Sequence, residues 1–253
     1  MLNPYGKKNG KLFTASKGEV ERGLACNCVC PACGHKLVAC QGKDKIDYFA
    51  HYKGSDCGAG YETALHVLAK ETLYEEKKIL IPELIVKYNP AGLEETVLEQ
   101  ETLVPVKSVQ VDDVQLEKRQ GEIIPDVIVK IQGKELLVEI KVTHGIDDKK
   151  KAYIRRNKLY VVEYDFSKIR GIVDKEHIKK VLTRTYDGAK KGFGRGEWIN
   201  HPSCRKTLVK LIKQHKNNQL RKMAEKNDLV ITSQKTASPS PKQLSLWDMA
   251  RRP

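Results

Sequence analysis

The sequence contains no apolar run that approaches the roughly 20 residues needed to cross a bilayer. Its N-terminus, MLNPYGKKNGK, also lacks the apolar stretch of a signal peptide. We therefore expect a cytoplasmic protein with no role for a membrane. Aromatic residues make up only 6% of the chain, which argues against a surface built mainly for stacking on bases. No internal repeat is found.

Acidic residues are scarce relative to basic ones. The 253 residues include 46 lysines and arginines but only 32 aspartates and glutamates, so the net charge is +14. Such a balance favours an anionic partner, with nucleic acid ahead of a membrane surface. The length allows one substantial core together with a smaller module and a tail.

Cysteine is abundant in one place, since five of the seven cysteines lie between Cys26 and Cys40. In a reducing compartment such a cluster predicts a metal site rather than disulfides. Cys30 and Cys33 form a CPxCG knuckle, and His51 and Cys57 follow at spacings that could complete a tetrahedral site. Zinc suits these ligands, and four protein ligands indicate a structural ion.

The ligand set has alternatives, because Cys26 or Cys28 could replace one of the four predicted ligands. A set of buried thiols without metal is a second reading. Redox chemistry at the C-x-x-C pair is a third, but no βαβ pattern surrounds it.

The chain divides by composition into four predicted parts. Residues 1–60 are predicted to be a zinc-binding module, and residues 61–172 an α/β domain in which a helix precedes antiparallel strands, a second helix and a last strand. Residues 173–230 are predicted to be a basic helical region, with helices over 174–186 and 203–227. Residues 231–253, rich in Ser, Pro and Lys, are predicted to be a disordered tail.

The segment ELLVEIKVTH, residues 135–144, reads as a buried strand that carries Glu139 and Lys141 on one face. It pairs in a predicted hairpin with EIIPDVIVKI, residues 122–131, which brings Asp126 beside Glu139. Two close carboxylates repel unless a cation lies between them or one is protonated. We therefore predict Mg²⁺ or Mn²⁺ here, with Lys141 orienting or deprotonating a water and offsetting charge on a phosphate.

Pro125 and Asp126, a gap of twelve residues, and then Glu139, Ile140 and Lys141 resemble the signature of the PD-(D/E)XK nuclease superfamily. The resemblance implies a restriction-endonuclease-like α/β core and metal-dependent DNA cleavage. It also implies that Ile140 contributes a metal ligand and that Glu62, on the preceding helix, is a catalytic acid.

The order CPxCG, YFAH and E-x-x-x-H-x-x-x-K, ahead of these strands, is similar to the competence protein CoiA-like family over roughly residues 20–170. Members often have His-Phe-Ala-His where this chain has Tyr48 to His51, so His51 is the histidine candidate there.

Five further residues are candidates for contact with DNA. His66 is interpreted as a phosphate contact, a supporting group or a core histidine, and Lys70 as a phosphate contact or a solvated lysine. Thr143, His144 and Lys149 flank the acidic residues; a solvated turn is the alternative.

The C-terminal QLSLW resembles the peptide that binds the bacterial sliding clamp, with Trp in place of Phe. Gln243 would supply hydrogen bonds, and Leu244, Leu246 and Trp247 complete the motif as its apolar part. An amphipathic helix that returns to the domain is the alternative.

Three functions remain open from the sequence. The first is a zinc-stabilised, Mg²⁺-dependent DNA nuclease that a clamp could recruit. The second is a DNA-binding adaptor without catalysis. The third is a protein that acts on RNA. It stays open because the sequence has no recognisable feature that would distinguish RNA from DNA by the 2′-hydroxyl.

Overall fold

A computed structural model of the chain describes residues 3–42, 46–54, 57–89, 99–169, 175–183 and 195–236. These residues form two compact units, one within Met1–Ile85 and Thr102–Cys204 and the other within Val86–Glu101 and Arg205–Pro253. The predicted zinc module and most of the predicted α/β domain thus belong to the same unit, whereas Val86–Glu101 belongs to the other. No helix among these residues has the length and apolar character needed to span a membrane.

The N-terminal module consists of short antiparallel pairs around a small core. Its strands are Tyr5–Lys8 (β1), Lys11–Thr14 (β2), Leu37–Cys40 (β3) and Tyr48–His51 (β4), with a 3-10 helix at Leu24–Cys26. β1 pairs with β2 and β3 with β4. The buried side chains of this core are small or sulfur-containing apart from a few larger ones, namely Val20, Leu37 and Phe49. Such a small core agrees with the expectation that a metal stabilises the module.

The following elements alternate between helices and strands. They are Gly60–Glu76 (α1), Lys78–Ile81 (β5), Leu84–Tyr88 (β6), Glu99–Val104 (β7), Lys107–Gln110 (β8), Asp113–Leu116 (β9), Val127–Ile131 (β10), Lys134–Lys141 (β11), Asp148–Arg156 (α2), Val161–Asp165 (β12), Lys175–Thr183 (α3), Arg195–Asn200 (β13) and Cys204–Thr236 (α4). The predicted mixed α/β architecture with C-terminal helices is confirmed.

A five-stranded sheet in the order β13-β12-β11-β10-β9 is the centre of the first unit. β11 and β12 run parallel, and the other neighbours are antiparallel. The β10–β11 hairpin turns at Gln132 and Gly133, whose positive φ values of 51° and 76° match the tight turn that the sequence predicts. One sheet face packs with residues of α1 and α3, and the other packs with Ile154 of α2.

Several predicted boundaries differ from the structure. Proline separates β5 from β6 at Pro82 and β7 from β8 at Pro105, because proline lacks the N–H that a ladder needs. β9 and β13 were not predicted, and β13 lies inside the predicted helical region 173–230. The helices predicted over 174–186 and 203–227 correspond to α3 and α4. The strand RGEWIN between them is too short to show a clear period and is recognisable as a strand only through its pairing with β12.

The C-terminal part departs from the prediction in one further respect. Helix α4 continues to Thr236, so the predicted disordered tail begins inside a helix. Residues 237–253, including the clamp-like motif, lie outside the described residues.

The second unit is organised around the first half of α4. Leu211 is buried, the ring of His215 lies 5.5 Å from that of Tyr88, and Lys210 forms an ion pair of 2.8 Å with Glu101. Residues 216–226 are exposed on every side of the helix.

Candidate functional site

The structure brings together the four side chains predicted to bind zinc, which we call the cysteine–histidine cluster: Cys30, Cys33, His51 and Cys57. Their ligand atoms all lie within 4.8 Å of one another. The Sγ atoms of Cys30 and Cys57 are 3.7 Å apart, and Cys33 Sγ lies 3.2 Å from His51 Nε2. Three sulfurs and one imidazole nitrogen at this separation are a donor set that fits a tetrahedral zinc ion.

Local backbone structure places these ligands. The Gly34 N–H donates to the Cys30 carbonyl over 2.9 Å, and the Cys30 N–H donates to the His35 carbonyl over 2.8 Å. Gly34 has a φ of +74°, a conformation that glycine adopts without strain. The β3–β4 register then places His51 opposite Leu37, directly after the knuckle. The knuckle turn and the β3–β4 pairing therefore place Cys30, Cys33 and His51.

Cys26 and Cys28 have a different role from the ligands. Both are buried in the module core, with exposures of 0% and 2%. The Cys26 thiol donates to the Leu37 carbonyl, and the Cys28 thiol donates to the Cys26 carbonyl, each over 3.4 Å. The four-residue cluster forms without either thiol, and both thiols hydrogen-bond main-chain carbonyls instead.

The two cysteines of the knuckle differ in acidity. The pKa of Cys33 is lowered to about 6, chiefly by a main-chain hydrogen bond at His35 and also by His51, against a smaller opposing effect of burial. Burial raises the pKa of Cys30 to about 11. Because the thiolate is the form that binds metal, Cys33 is prepared for binding while Cys30 must lose its proton when the ion arrives.

The second group, which we call the acidic site, consists of Asp126, Glu139 and Lys141. Val127 pairs with Val138 in the β10–β11 ladder, and continuing this register puts Asp126 opposite Glu139. Val127 and Val138 pack toward α1, whereas the alternate positions Ile128 and Leu137 pack on the face that carries α2. The predicted pairing of the two carboxylates is therefore the one that the hairpin produces.

Asp126 is held by the main chain and by α1. Its Oδ2 accepts a hydrogen bond of 2.7 Å from the Ile140 N–H and lies 3.6 Å from His66 Nδ1. Burial acts to raise the pKa of Asp126, but the hydrogen bonds of His66 and Ile140 and the charge of Lys70 outweigh it, so the pKa is lowered overall. Asp126 is therefore ionised at neutral pH.

Glu139 is buried and interacts with a cation from α2. Lys150 Nζ lies 2.7 Å from its Oε1 and 2.8 Å from its Oε2, but only the Oε2 contact has hydrogen-bond geometry. Among the described residues, Oε1 accordingly has no hydrogen-bond partner. Burial raises the pKa of Glu139 to about 7; Lys150 opposes this shift, and the charges of Asp126 and Glu163 add to it.

Lys141 is paired with a carboxylate of the neighbouring strand. Its Nζ donates to Asp165 Oδ2 over 2.8 Å, and this hydrogen bond is the main reason why the pKa of Lys141 is raised. The parallel register that pairs Lys141 with Asp165 also pairs Glu139 with Glu163, which is only 4% exposed. Lys141 thus stays protonated and is better suited to stabilising negative charge than to removing a proton.

Comparison with known proteins identifies the N-terminal segment. Residues 13–60 match the family model of the competence protein CoiA N-terminal domain. This match covers about a fifth of the chain and includes all four residues of the cysteine–histidine cluster. No curated protein and no solved structure matches the chain. The predicted CoiA-like resemblance is therefore supported for this segment, and the match does not extend to the acidic site.

Helix α1 follows directly after the CoiA-like segment. Glu62 and His66 lie one turn apart on the same half-buried face, and only His66 has a described contact with Asp126. Lys70, one turn further on, forms an ion pair of 2.6 Å with Glu117. The alternative that His66 is a core histidine is wrong, because its side chain is partly exposed and faces a carboxylate.

The remaining predicted contacts lie at the surface. Thr143 and His144 are exposed and hydrogen-bonded to each other over 2.9 Å, and Lys149 is exposed on the first turn of α2. Gln243, Leu244, Leu246 and Trp247 lie outside the described residues.

Sequence reasoning missed three partners of the acidic site, namely Lys150, Glu163 and Asp165. The alternation in VVEYD places Glu163 and Asp165 on one strand face, which was a usable signal. Lys150 had no such signal, because it is one of three consecutive lysines and only the packing of α2 selects it.

Proposed function

We propose that the chain is a metal-dependent DNA nuclease of the PD-(D/E)XK type that hydrolyses phosphodiester bonds in DNA processing, recombination, repair or defence. The observation that carries the proposal is the placement of Asp126 and Glu139 on facing hairpin positions, with Lys141 next on the same strand face. A helix, three antiparallel strands, a helix and a parallel strand surround these residues, which is the order that the superfamily resemblance implies.

The acidic site has a donor set that suits Mg²⁺ or Mn²⁺. Asp126 is ionised, and the buried Glu139 carboxylate lies opposite it, so both offer the oxygen donors that a hard divalent cation prefers. The main-chain carbonyl of Ile140 is the third proposed ligand. A bound divalent ion would supply positive charge and orient a water toward the phosphate.

The side chains around the carboxylates take separate roles in this proposal. Lys141, kept protonated by Asp165, stabilises the negative charge that develops on the phosphate. His66 keeps Asp126 ionised and oriented. Glu62 provides a further carboxylate from α1, and Lys70, Thr143, His144 and Lys149 contact the DNA backbone.

The cysteine–histidine cluster has a structural role in the proposal. Four protein ligands close the coordination of a zinc ion and leave no position for a catalytic water. The module packs next to α1, since Tyr5 of β1 stacks near Tyr61 with ring centres 6.1 Å apart. Zinc would therefore stabilise the start of the helix that carries Glu62 and His66.

Recruitment to DNA by the bacterial sliding clamp is a further part of the proposal. It rests on the sequence of Gln243–Trp247 alone. A peptide of residues 238–253 should bind a purified clamp, and the same peptide with Leu246 and Trp247 replaced by Ala should not.

The nuclease is tested with purified wild-type protein and the Glu139→Gln variant on linear, circular single-stranded and supercoiled DNA, with Mg²⁺, Mn²⁺ or EDTA. The isosteric change keeps the side-chain volume, and Glu135→Gln, exposed on the same strand, is the matched control. Because EDTA also removes zinc, omission of Mg²⁺ is needed as a second control. We expect metal-dependent cleavage by the wild type and Glu135→Gln, and at least about 100-fold less by Glu139→Gln. Equal cleavage by all three would contradict the proposal.

The adaptor remains the second candidate because Glu139 already has a protein counter-ion in Lys150. If Glu139 had only a structural role, it would form the same ion pair with Lys150. In that case neither protein cuts any substrate, and wild type and Glu139→Gln shift DNA equally in gel electrophoresis.

A further inference from the structure

Lys150 contacts three oxygen atoms at the acidic site. Its Nζ lies 2.7 Å and 2.8 Å from the two Glu139 carboxylate oxygens and 3.0 Å from the Ile124 carbonyl oxygen. Two carboxylate oxygens and one main-chain carbonyl are the kind of all-oxygen set that Mg²⁺ and Ca²⁺ prefer. The ammonium group therefore occupies the two Glu139 oxygens that a divalent cation at the acidic site would also need.

The position of Lys150 is fixed by its helix. Asp147 caps α2 by accepting a hydrogen bond of 2.8 Å from the Lys150 main-chain N–H. The Lys150 side chain is 20% exposed and that of Glu139 8%, whereas the preceding Lys149 is exposed. Among the three consecutive lysines of α2, Lys150 is thus the one with a described contact to the buried carboxylate.

Two further carboxylates near Glu139 increase its need for a compensating cation. It lies next to Glu163 in the parallel ladder and opposite Asp126 in the hairpin register. Like charges at this spacing repel in a buried environment unless a cation compensates them. An ammonium group and a divalent ion would satisfy the same requirement, and both cannot occupy the Glu139 oxygens fully.

We propose that Lys150 is an exchangeable counter-ion of the acidic site, which a divalent cation displaces from Glu139 and which then contacts the substrate phosphate. The proposal rests on the proposed function, since it assigns a new residue to the same site. It differs from a permanent ion pair, in which Lys150 would stay on Glu139 whether or not Mg²⁺ is present.

The first test measures the reactivity of the Lys150 amine in unaltered, zinc-loaded protein. The protein is acetylated briefly with an amine-reactive ester without added metal, with Mg²⁺, with Ca²⁺, and with Ca²⁺ and a duplex oligonucleotide, and each lysine is quantified by peptide mass mapping. We expect acetylation of Lys150 to rise severalfold with either metal and to fall again with DNA. Lys175, whose ion pair with Glu75 is exposed on the surface, should stay constant. Unchanged acetylation with metal overturns the exchange, and acetylation that stays high with DNA overturns the phosphate contact.

The second test measures Mg²⁺ affinity by calorimetry at about pH 8.5, above the pKa of Glu139. Lys150→Met should bind Mg²⁺ about tenfold more tightly than wild type, because no ammonium has to leave. Lys149→Met, which loses the same charge from the surface, is the matched control and should bind like wild type. Equal or weaker binding by Lys150→Met, or no Mg²⁺ binding by the wild type, overturns the inference.

Cleavage of DNA is assayed in the same preparations so that the two proposals can fail separately. Release of Lys150 without cleavage leaves the exchange in place and contradicts the nuclease. Cleavage without release supports the nuclease and overturns the exchange.

Discussion

In the cysteine–histidine cluster four ligand atoms converge within 4.8 Å, whereas both carboxylates of the acidic site already bond protein groups. Asp126 accepts from a main-chain N–H, and Glu139 pairs with Lys150. The three sulfurs and one imidazole nitrogen of the cluster fit a tetrahedral zinc ion, which would compensate the charge of the thiolates. The acidic site can remain folded without a metal, because the protein supplies its own cations.

The difference follows from how each site is built. A cluster of thiols in a small module contributes little to stability until a metal joins its segments. A carboxylate in the core of a larger sheet must be compensated as soon as the chain folds, since burying an unpaired charge is costly. We therefore expect metal to be required for folding at the first site and for activity at the second.

The largest effect should come from breaking the cluster. Cys30→Ser should abolish zinc binding and unfold residues 1–60, because structural zinc sites contribute on the order of 10 kcal/mol. Cys26→Ala, at a buried thiol outside the cluster, should retain one zinc per chain and cost only about 1 kcal/mol. Zinc content by native mass spectrometry and limited proteolysis of the module measure both results. Equal zinc loss in Cys30→Ser and Cys26→Ala would show that Cys26 is also a zinc ligand.

A smaller effect should appear in the pH dependence of stability. The pKa of Glu139 rises from 4.5 to about 7 on folding, so between these values the folded state binds more protons than the unfolded state. The contribution of protonated Glu139 to the free energy of unfolding is fully present below pH 4.5 and is lost as the pH rises through about 7. The free energy of unfolding of wild type, relative to Glu139→Gln, should therefore fall by about 2–3 kcal/mol over this range.

Urea unfolding at a series of pH values measures this difference, and the subtraction removes titrations that both proteins share. Asp126 is one of these; its lowered pKa acts in the opposite sense, since its contribution is present above its unfolded pKa and lost as the pH falls. A flat difference between the two proteins would show that Glu139 is ionised throughout and that Lys150 compensates it completely.

The smallest effect should come from another cation of α2. Arg156 pairs with Glu122 over 3.0 Å, but the two side chains are 67% and 72% exposed. Arg156→Ala should therefore change the free energy of unfolding by no more than about 0.5 kcal/mol. Thermal unfolding in low and high salt measures this, and a loss above about 1 kcal/mol would mean that the loop carrying Asp126 depends on this surface pair.

Sequence patterns predicted those parts of both sites that depend on nearby residues. The knuckle spacing identified Cys30 and Cys33, and the residues that follow supplied His51 and Cys57. The tight turn at Gly133 fixed which residues of the hairpin face each other, and therefore the pairing of Asp126 with Glu139. Short-range turns and ladder periods are local properties, so composition and spacing suffice to reveal them.

Other parts needed long-range information. Whether Cys26 and Cys28 join the cluster depended on where the fold places their Sγ atoms, and spacing permitted either answer. The strand β13 was missed because its six residues gain strand character only by pairing with β12.

The sequence by itself determined a basic chain with a CoiA-like cysteine–histidine knuckle and a hairpin that presents two carboxylates and a lysine. Only the tertiary structure decided that Lys141 pairs with Asp165 and that Lys150, rather than either neighbouring lysine, compensates Glu139. Both pairings join segments that meet through packing of α2 and the parallel β11–β12 register. The physical reason is that charge compensation depends on distance and burial, and neither is encoded in the spacing of residues along the chain.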